Sequence, residues 1–144
     1  MKNTSLAHMK QICNFLKKHH VLTLSTQCED KTSACCNLFF VYIEELQSFI
    51  VASDYKTEHI KNILRNFNVS GTVVLETNIV GKIQGVQFKG VVLASCQNEE
   101  QKAYYKAFPY AIALSPTLWK IRVDSFKFTD NTLGFGKKLH WSRE

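Results

Sequence analysis

Lys56, Thr57 and His59 stand close together, directly after the apolar run Phe49-Ile50-Val51-Ala52-Ser53 and at the start of a segment with helical spacing. The run reads as a strand, Asp54-Tyr55-Lys56 as a short loop, and Thr57 as the cap of a helix to about Asn66. At such a junction the first helical N–H groups have no partners and the dipole adds positive potential. Lys56, Thr57 and His59 surround those groups and complete a place where an anion can be held. The spacing is not that of a P-loop, because no GxxxxGK[ST] is present. The same residues also make an ordinary strand-to-helix connection, so the junction by itself leaves a purely structural role open.

Two other stretches carry groups suited to a ligand. In KIQGVQFKGVVLA, Lys82–Ala94, Gln87 points opposite to Val86 and Phe88. Its amide both donates and accepts, which suits the edge of a heterocycle, although an exposed strand glutamine has the same pattern. The C-terminal run FKFTDNTLGFGKKLHW, Phe126–Trp141, alternates at Phe126 and Phe128 and turns at Asp130-Asn131. The alternation is expected to resume at Leu133 and Phe135 between Gly134 and Gly136, with Lys137, Lys138 and His140 at the exit. Strand, turn and strand beside glycines and cations suit close approach of backbone to an anionic ligand; a plain C-terminal hairpin would read the same way.

Protein-borne catalysis has few candidates. There is no GxSxG, HExxH or GxGxxG, and the carboxylates are scattered. Cys13, Cys28, Cys35, Cys36 and Cys96 show no paired ligand spacing, so no metal site is expected and the thiols are read as reduced. If the chain is an enzyme, a cofactor carries the chemistry and the protein binds and tunes it.

The elements that must position these groups follow from periodicity. A helix is expected from about Ser5 to His19, capped by Thr4 or Ser5, with Leu6, Met9, Ile12-Cys13 and Leu16 inward. Val21–Ser25, Ser33–Ile43 and Phe49–Ser53 read as an antiparallel meander. The Thr57 helix carries Ile60, Ile63-Leu64 and Phe67 on one face. Val69–Thr77 and Lys82–Ala94 are two more strands, with Gly85 and Gly90 marking bends. A helix over Asn98–Phe108 turns Ala103-Tyr104 and Ala107-Phe108 inward, and Pro109 and Pro116 make the following bridge irregular. Trp119, Ile121 and Val123 share one phase and Phe126 and Phe128 the other, so a bulge belongs at Asp124-Ser125. Six or seven clustered strands with three helices indicate a mainly β, α+β antiparallel barrel rather than a doubly wound sheet.

At 144 residues, 45% apolar and 21% charged, the chain suits one globular domain, residues 1–144. No run is long enough to cross a bilayer as a helix and the N-terminus lacks a secretory pattern, so a cytoplasmic protein is expected. A net charge of +6, dispersed rather than gathered in a tail, favours a local anion site.

With the KTEH helix start, GVQFKG at Gly85–Gly90 and FTDNTLGFGKK at Phe128–Lys138 in hand, the chain resembles the YhbP-type family of small bacterial proteins. That family lies within the FMN-binding split-barrel (pyridoxamine-5'-phosphate-oxidase-like) superfamily. The resemblance spans nearly the whole chain and implies a six-stranded antiparallel split β-barrel with flanking helices. It also implies a homodimer with flavin at the subunit interface, and FMN as cofactor. By that resemblance Ser53, Lys56, Thr57 and His59 hold the flavin phosphate, and Ala34–Asn37, Asn37 above all, line the ring. Gln87 meets the ring edge, Asp130, Asn131 and Lys138 face the cofactor or its substrate, and Trp141 packs. His59 stands where relatives often carry lysine and Glu58 where they often carry arginine, which leaves Lys56 as the main fixed charge. The substrate-binding arginine–histidine pattern of the pyridoxamine phosphate oxidases is replaced by Lys138-Leu139-His140-Trp141, which argues against vitamin salvage. A flavin-dependent oxidoreductase is the reading this supports. The alternatives are a haem-binding split barrel, since some relatives bind haem and five histidines are present, and a barrel binding nucleic acid or another anion through its cations.

Overall fold

The long strand Leu118–Asp130 is the seam on which the molecule closes. In the computed structural model, which describes residues 2–94 and 96–144 and side chains from residue 6 onward, the elements run in this order. Helix α1 (Lys2–Lys17) leads to β1 (Val21–Gln27), β2 (Ser33–Ile43) and β3 (Ser48–Ala52), then to helix α2 (Glu58–Arg65). Strands β4 (Asn68–Val74) and β5 (Gln84–Leu93) follow, then helix α3 (Asn98–Ala107), β6 (Leu118–Asp130) and β7 (Lys138–Ser142). The strands are antiparallel in the order β3-β2-β1-β4-β5-β6-β7, and β3 also pairs with β6. That extra pairing closes a six-stranded barrel and leaves β7 as an added strand. One edge of β6 takes β3 along Leu118–Arg122 and β7 along Ser125–Thr129, while β5 occupies the other edge.

Period-two patterning fills the barrel. Leu22 and Leu24, Phe40 and Tyr42, Val86 and Phe88, and Trp119 and Ile121 point inward and are buried. Phe49 lies at the centre, with ring centroids 4.8–5.1 Å from those of Phe40, Tyr42 and Phe88. The inward phase changes from Val123 to Phe126 at Asp124, which is skipped when Lys89 pairs with Ser125 and Gly90 with Val123. This is the bulge expected there, and Gly90 faces it: a Cβ would sit 2.4 Å from the Arg122 carbonyl oxygen.

Helices close the ends and one flank. On α1, Met9, Ile12, Cys13, Phe15 and Leu16 join the core, and Phe15 meets Phe128 edge-on at 5.1 Å. On α2, Asn62 is 1% exposed and donates to Thr26 Oγ1 at 3.1 Å. Helix α3 covers the outer face of β3, where Ile50, Tyr104 and Leu118 form a second, smaller core. Covered on both sides, β3 is buried from Ser48 to Val51, which is why it reads as a continuous apolar run.

Some expectations need correction. Leu6, Leu64 and Phe67 are exposed, because the buried arcs of their segments are narrow and centre on Ile12 to Leu16 and on Ile60 to Ile63. Ala107 likewise faces out while Tyr104 is buried. Leu133 and Phe135 do not resume a strand: Asn131–Leu133 is a 3-10 turn, and Gly134 and Gly136 have φ of +135° and +73°. Pairing returns only at Lys138. Helix α1 begins at Lys2 and ends at Lys17, so Thr4 and Ser5 lie inside it rather than at its cap and it stops short of His19.

Candidate functional site

The β3–α2 junction is held from both sides. Ser53 N–H donates to the Thr117 carbonyl at 3.0 Å, and the buried indole of Trp119 donates to the Ser53 carbonyl at 3.0 Å. The Asp54 carboxylate accepts from Lys56 N–H at 2.8 Å, which sets the loop. Thr57 hydroxyl donates to the Asp54 carbonyl at 2.8 Å and accepts from Ile60 N–H at 3.3 Å, so it caps α2 as its sequence position predicts.

These constraints bring three expected groups together. Ser53 Oγ lies 2.5 Å from His59 Nε2 and 3.5 Å from Thr57 Oγ1. Lys56 is exposed beside them. Among the described residues, the N–H groups of Glu58 and His59 have no protein acceptor, as the first turn of a helix requires. Burial disfavours the imidazolium and lowers the pKa of His59 below its ordinary 6.5, so its neutral form dominates at neutral pH. The fixed positive charge is therefore that of Lys56. Glu58 carries the opposite charge, but its carboxylate is 3.9 Å from Cys28 Sγ, on the side of the β1–β2 turn. The Ser53 hydroxyl, two free N–H groups, an imidazole and an ammonium can together hold a phosphate, joined by the Thr57 hydroxyl when its proton turns from the Asp54 carbonyl.

Ser53 also borders a cavity of about 730 Å³ between β3, the end of α3 and the 3-10 strap Pro109–Leu114. Phe39, Tyr104, Phe108 and Tyr110 supply its aromatic wall. No signal for this wall was read from the sequence, because Phe39 and Tyr110 look like ordinary apolar residues until β2 and the strap meet.

Asn37 and Gln87 lie elsewhere, on the outer face of the sheet. Cross-strand pairing sets Asn37, Thr23, Thr72, Gln87, Lys127 and His140 in one unbroken row over six strands. A second row, Cys35, Ser25, Ser70, Lys89, Ser125 and Ser142, runs beside it. Much of this face lines an open depression of about 630 Å³ with no carboxylate among the described residues. Thr23 donates to Asn37 Oδ1 at 2.8 Å, while Gln87 is exposed. Three strand spacings, roughly 14 Å, separate Asn37 from Gln87. The alternating Ser and Thr of β1 and β4 are the sequence signal for these rows.

Asp130 and Asn131 are occupied by their own turn. Asp130 accepts from Thr132 N–H at 2.9 Å, Thr132 hydroxyl at 2.6 Å and Gln84 amide at 3.2 Å. Asn131 donates to the Val80 carbonyl at 2.8 Å and accepts from Gly136 N–H at 3.0 Å. They lie at the far end of β6 from Ser53, and Lys138 is exposed opposite Thr129. Trp141 packs on Phe126 at 5.8 Å.

A closed six-stranded antiparallel barrel with one added strand and helices on its ends and flank places the chain among the split-barrel proteins. Solved structures with this architecture include a haem-binding protein from Mycobacterium smegmatis, with TM-score 0.79 and 14% identity over 94% of this chain. This chain spans 57% of that protein's length. HutZ, the haem-storage protein of Vibrio cholerae, matches with TM-score 0.68 and 15% identity, covering 80% of this chain and 89% of its own. A FAD-binding protein from Mesorhizobium loti matches with TM-score 0.66 and 12% identity, covering 82% and 91%. At these identities the likeness is one of fold alone.

The chain belongs to the UPF0306 family. It is 43% identical over 136 residues to the UPF0306 protein of Klebsiella pneumoniae strain 342, covering 92% of each chain. It is 40% identical over 136 residues to the UPF0306 protein YhbP of Escherichia coli O127:H6, covering 92% of this chain and 96% of that one. No protein-family model matches the chain.

Proposed function

We propose that this chain binds FMN as a homodimer and serves as a flavin-dependent oxidoreductase. The observation that carries the reading is the convergence of Ser53, Thr57 and His59 with Lys56 at a helix start whose first N–H groups have no protein acceptor. That donor set fits a phosphate monoester. The Ser53 hydroxyl, the Thr57 hydroxyl on turning its proton from the Asp54 carbonyl, and the α2 N–H groups would hold the phosphate oxygens, and Lys56 would supply charge. A bound flavin supplies hydride and electron transfer, and the protein binds and orients it.

The homodimer reading rests on the outer face. Two in-register polar rows are left uncovered in one chain, and Gln87 and Asn37 stand three strand spacings apart on them. A second copy over this face would cover those rows and bring groups of two chains to one ligand. The oxidoreductase reading rests on the flavin and on the lack of a recognised catalytic motif in the chain.

Haem has less support in the chain's own residues. Among the described residues no histidine lines the aromatic cavity, His59 Nε2 is paired with Ser53, and the Nδ1 atoms of His8 and His19 face backbone carbonyls.

Titration with FMN and with riboflavin tests the phosphate site. The wild-type chain should bind FMN more tightly than riboflavin, and Thr57→Ala should lower FMN affinity by about tenfold, a loss of about 1.4 kcal/mol. Riboflavin affinity should hardly change. Equal affinity for the two ligands in the wild-type chain would remove the phosphate from this junction.

A further inference from the structure

We propose that the cavity between α1 and the far end of the β5–β6 pair is a binding site for a free aliphatic α-amino acid in its zwitterionic form. Alternation along β6 sends Phe126, Phe128 and Asp130 to the same inward side, so the strand ends by placing a carboxylate in the mouth of the barrel. Asp130 is only 7% exposed. Its turn uses a single oxygen: Oδ1 accepts all three donors, the Thr132 N–H, the Thr132 hydroxyl and the Gln84 amide. Among the described residues no donor reaches Oδ2, and no fully enclosed side-chain oxygen or nitrogen lacks a partner. Oδ2 therefore opens onto the space that Asp130 lines, a cavity of about 240 Å³. A charged oxygen left there without a partner is costly, and an ammonium donating to it would relieve that cost.

The rest of the wall decides what the ammonium belongs to. Gln11, Asn14 and Lys18 line the cavity from α1 and the turn that ends it, at the i, i+3, i+7 spacing that puts them on one face. Lys18 is exposed and, among the described residues, makes no ion pair. Lys18 and Asp130 are the only charged residues lining the cavity among those described, so the matching ligand carries one charge of each sign. A divalent cation would find a single carboxylate, and among the described residues no group of three His, Cys, Asp or Glu side chains could hold a metal ion. The carboxamides of Gln11 and Asn14 can donate to a carboxylate beside Lys18. Phe15, Phe128 and Leu133 supply an apolar surface for an aliphatic side chain. Volume sets the size, because about 240 Å³ falls below the roughly 300–1,000 Å³ of sites for larger small molecules. The cavity lies at the other end of β6 from Ser53, so the site stands without the flavin reading.

The test uses the full chain and three probes that share one branched side chain: L-leucine, isocaproate, which lacks the ammonium, and isoamylammonium, which lacks the carboxylate. Equilibrium dialysis should show one saturable site for leucine, with each analogue at least about tenfold weaker. Lys18→Ala should bring leucine down to the level of isoamylammonium and leave that amine's own affinity unchanged. Asp130→Asn, which keeps the Oδ1 acceptor of the turn, should abolish leucine binding. Asn14→Trp, on the exposed face of α1, should fill the cavity and abolish binding without touching the turn, with circular dichroism showing that the variant is folded. Lys56→Ala/Thr57→Ala should bind leucine like the wild type. The proposal is overturned by a wild-type chain with no saturable leucine site, or by isocaproate binding as tightly as leucine. Undiminished binding by folded Asn14→Trp would overturn it too. A chain that binds leucine in this pattern and takes up no FMN would support the site and sink the flavin reading alone.

Discussion

On the proposed reading, His59 makes the β3–α2 junction sensitive to pH. Burial holds its pKa below the ordinary 6.5, so the folded chain favours the neutral ring. In the unfolded chain the ring takes its proton first, so this group's stabilising effect is full above 6.5 and falls as pH drops through the folded pKa. Anion binding has the opposite sign, because an imidazolium adds charge to the site and a bound phosphate favours the imidazolium. Acidification below 6.5 should therefore tighten FMN binding while it weakens the free fold. Titrations and denaturation curves across that interval should show both slopes, and His59→Gln should flatten both. An FMN affinity that falls on acidification would contradict this role. Thr57 acts at the same scale through its cap: Thr57→Ala should cost about 1 kcal/mol in chemical denaturation even without ligand.

At the scale of elements, the barrel depends on close approach at two glycines. A Cβ on Gly71 would fall 2.4 Å from Phe88 Cζ and 2.5 Å from the Thr23 carbonyl oxygen, and one on Gly90 would meet Arg122. Alanine at either should destabilise by about 2–3 kcal/mol, because backbone must shift in paired strands. Gly85 has nothing nearer than 3.6 Å, so Gly85→Ala should stay within about 0.5 kcal/mol. Similar midpoints for all three in urea would refute the argument. The strands themselves were largely legible: β2 has its expected bounds, and the change of phase between Val123 and Phe126 marked the bulge. The Thr57 cap and the Ser53, Thr57 and His59 cluster were legible too, since a strand end, a loop and a helix start fix their neighbourhood locally. What could not be read lies in long-range register. Asn37 and Gln87 share a row only because β1 and β4 intervene in matching phase, and Asp130 and Asn131 bind Gln84 and Val80 through pairings no local pattern reveals. Leu133 and Phe135 alternate as a strand would, but two glycines at positive φ turn the chain there.

For the whole molecule, the uncovered polar rows are the feature one chain leaves unexplained. No helix among the described residues is long and apolar enough to cross a membrane. The dimer reading predicts a particle of about twice the 16.5 kDa chain mass in analytical ultracentrifugation. Thr72→Arg, on the exposed face of β4, should give a folded monomer with weakened flavin uptake. A dimer that survives this change would place its interface elsewhere.

The most direct measurement is the visible spectrum of the chain after incubation with FMN and removal of the excess by gel filtration. The account predicts oxidised-flavin bands that travel with the protein, and their loss in a folded Lys56→Ala/Thr57→Ala variant. A chain that retains no flavin, or a double variant that retains as much as the wild type, would contradict it.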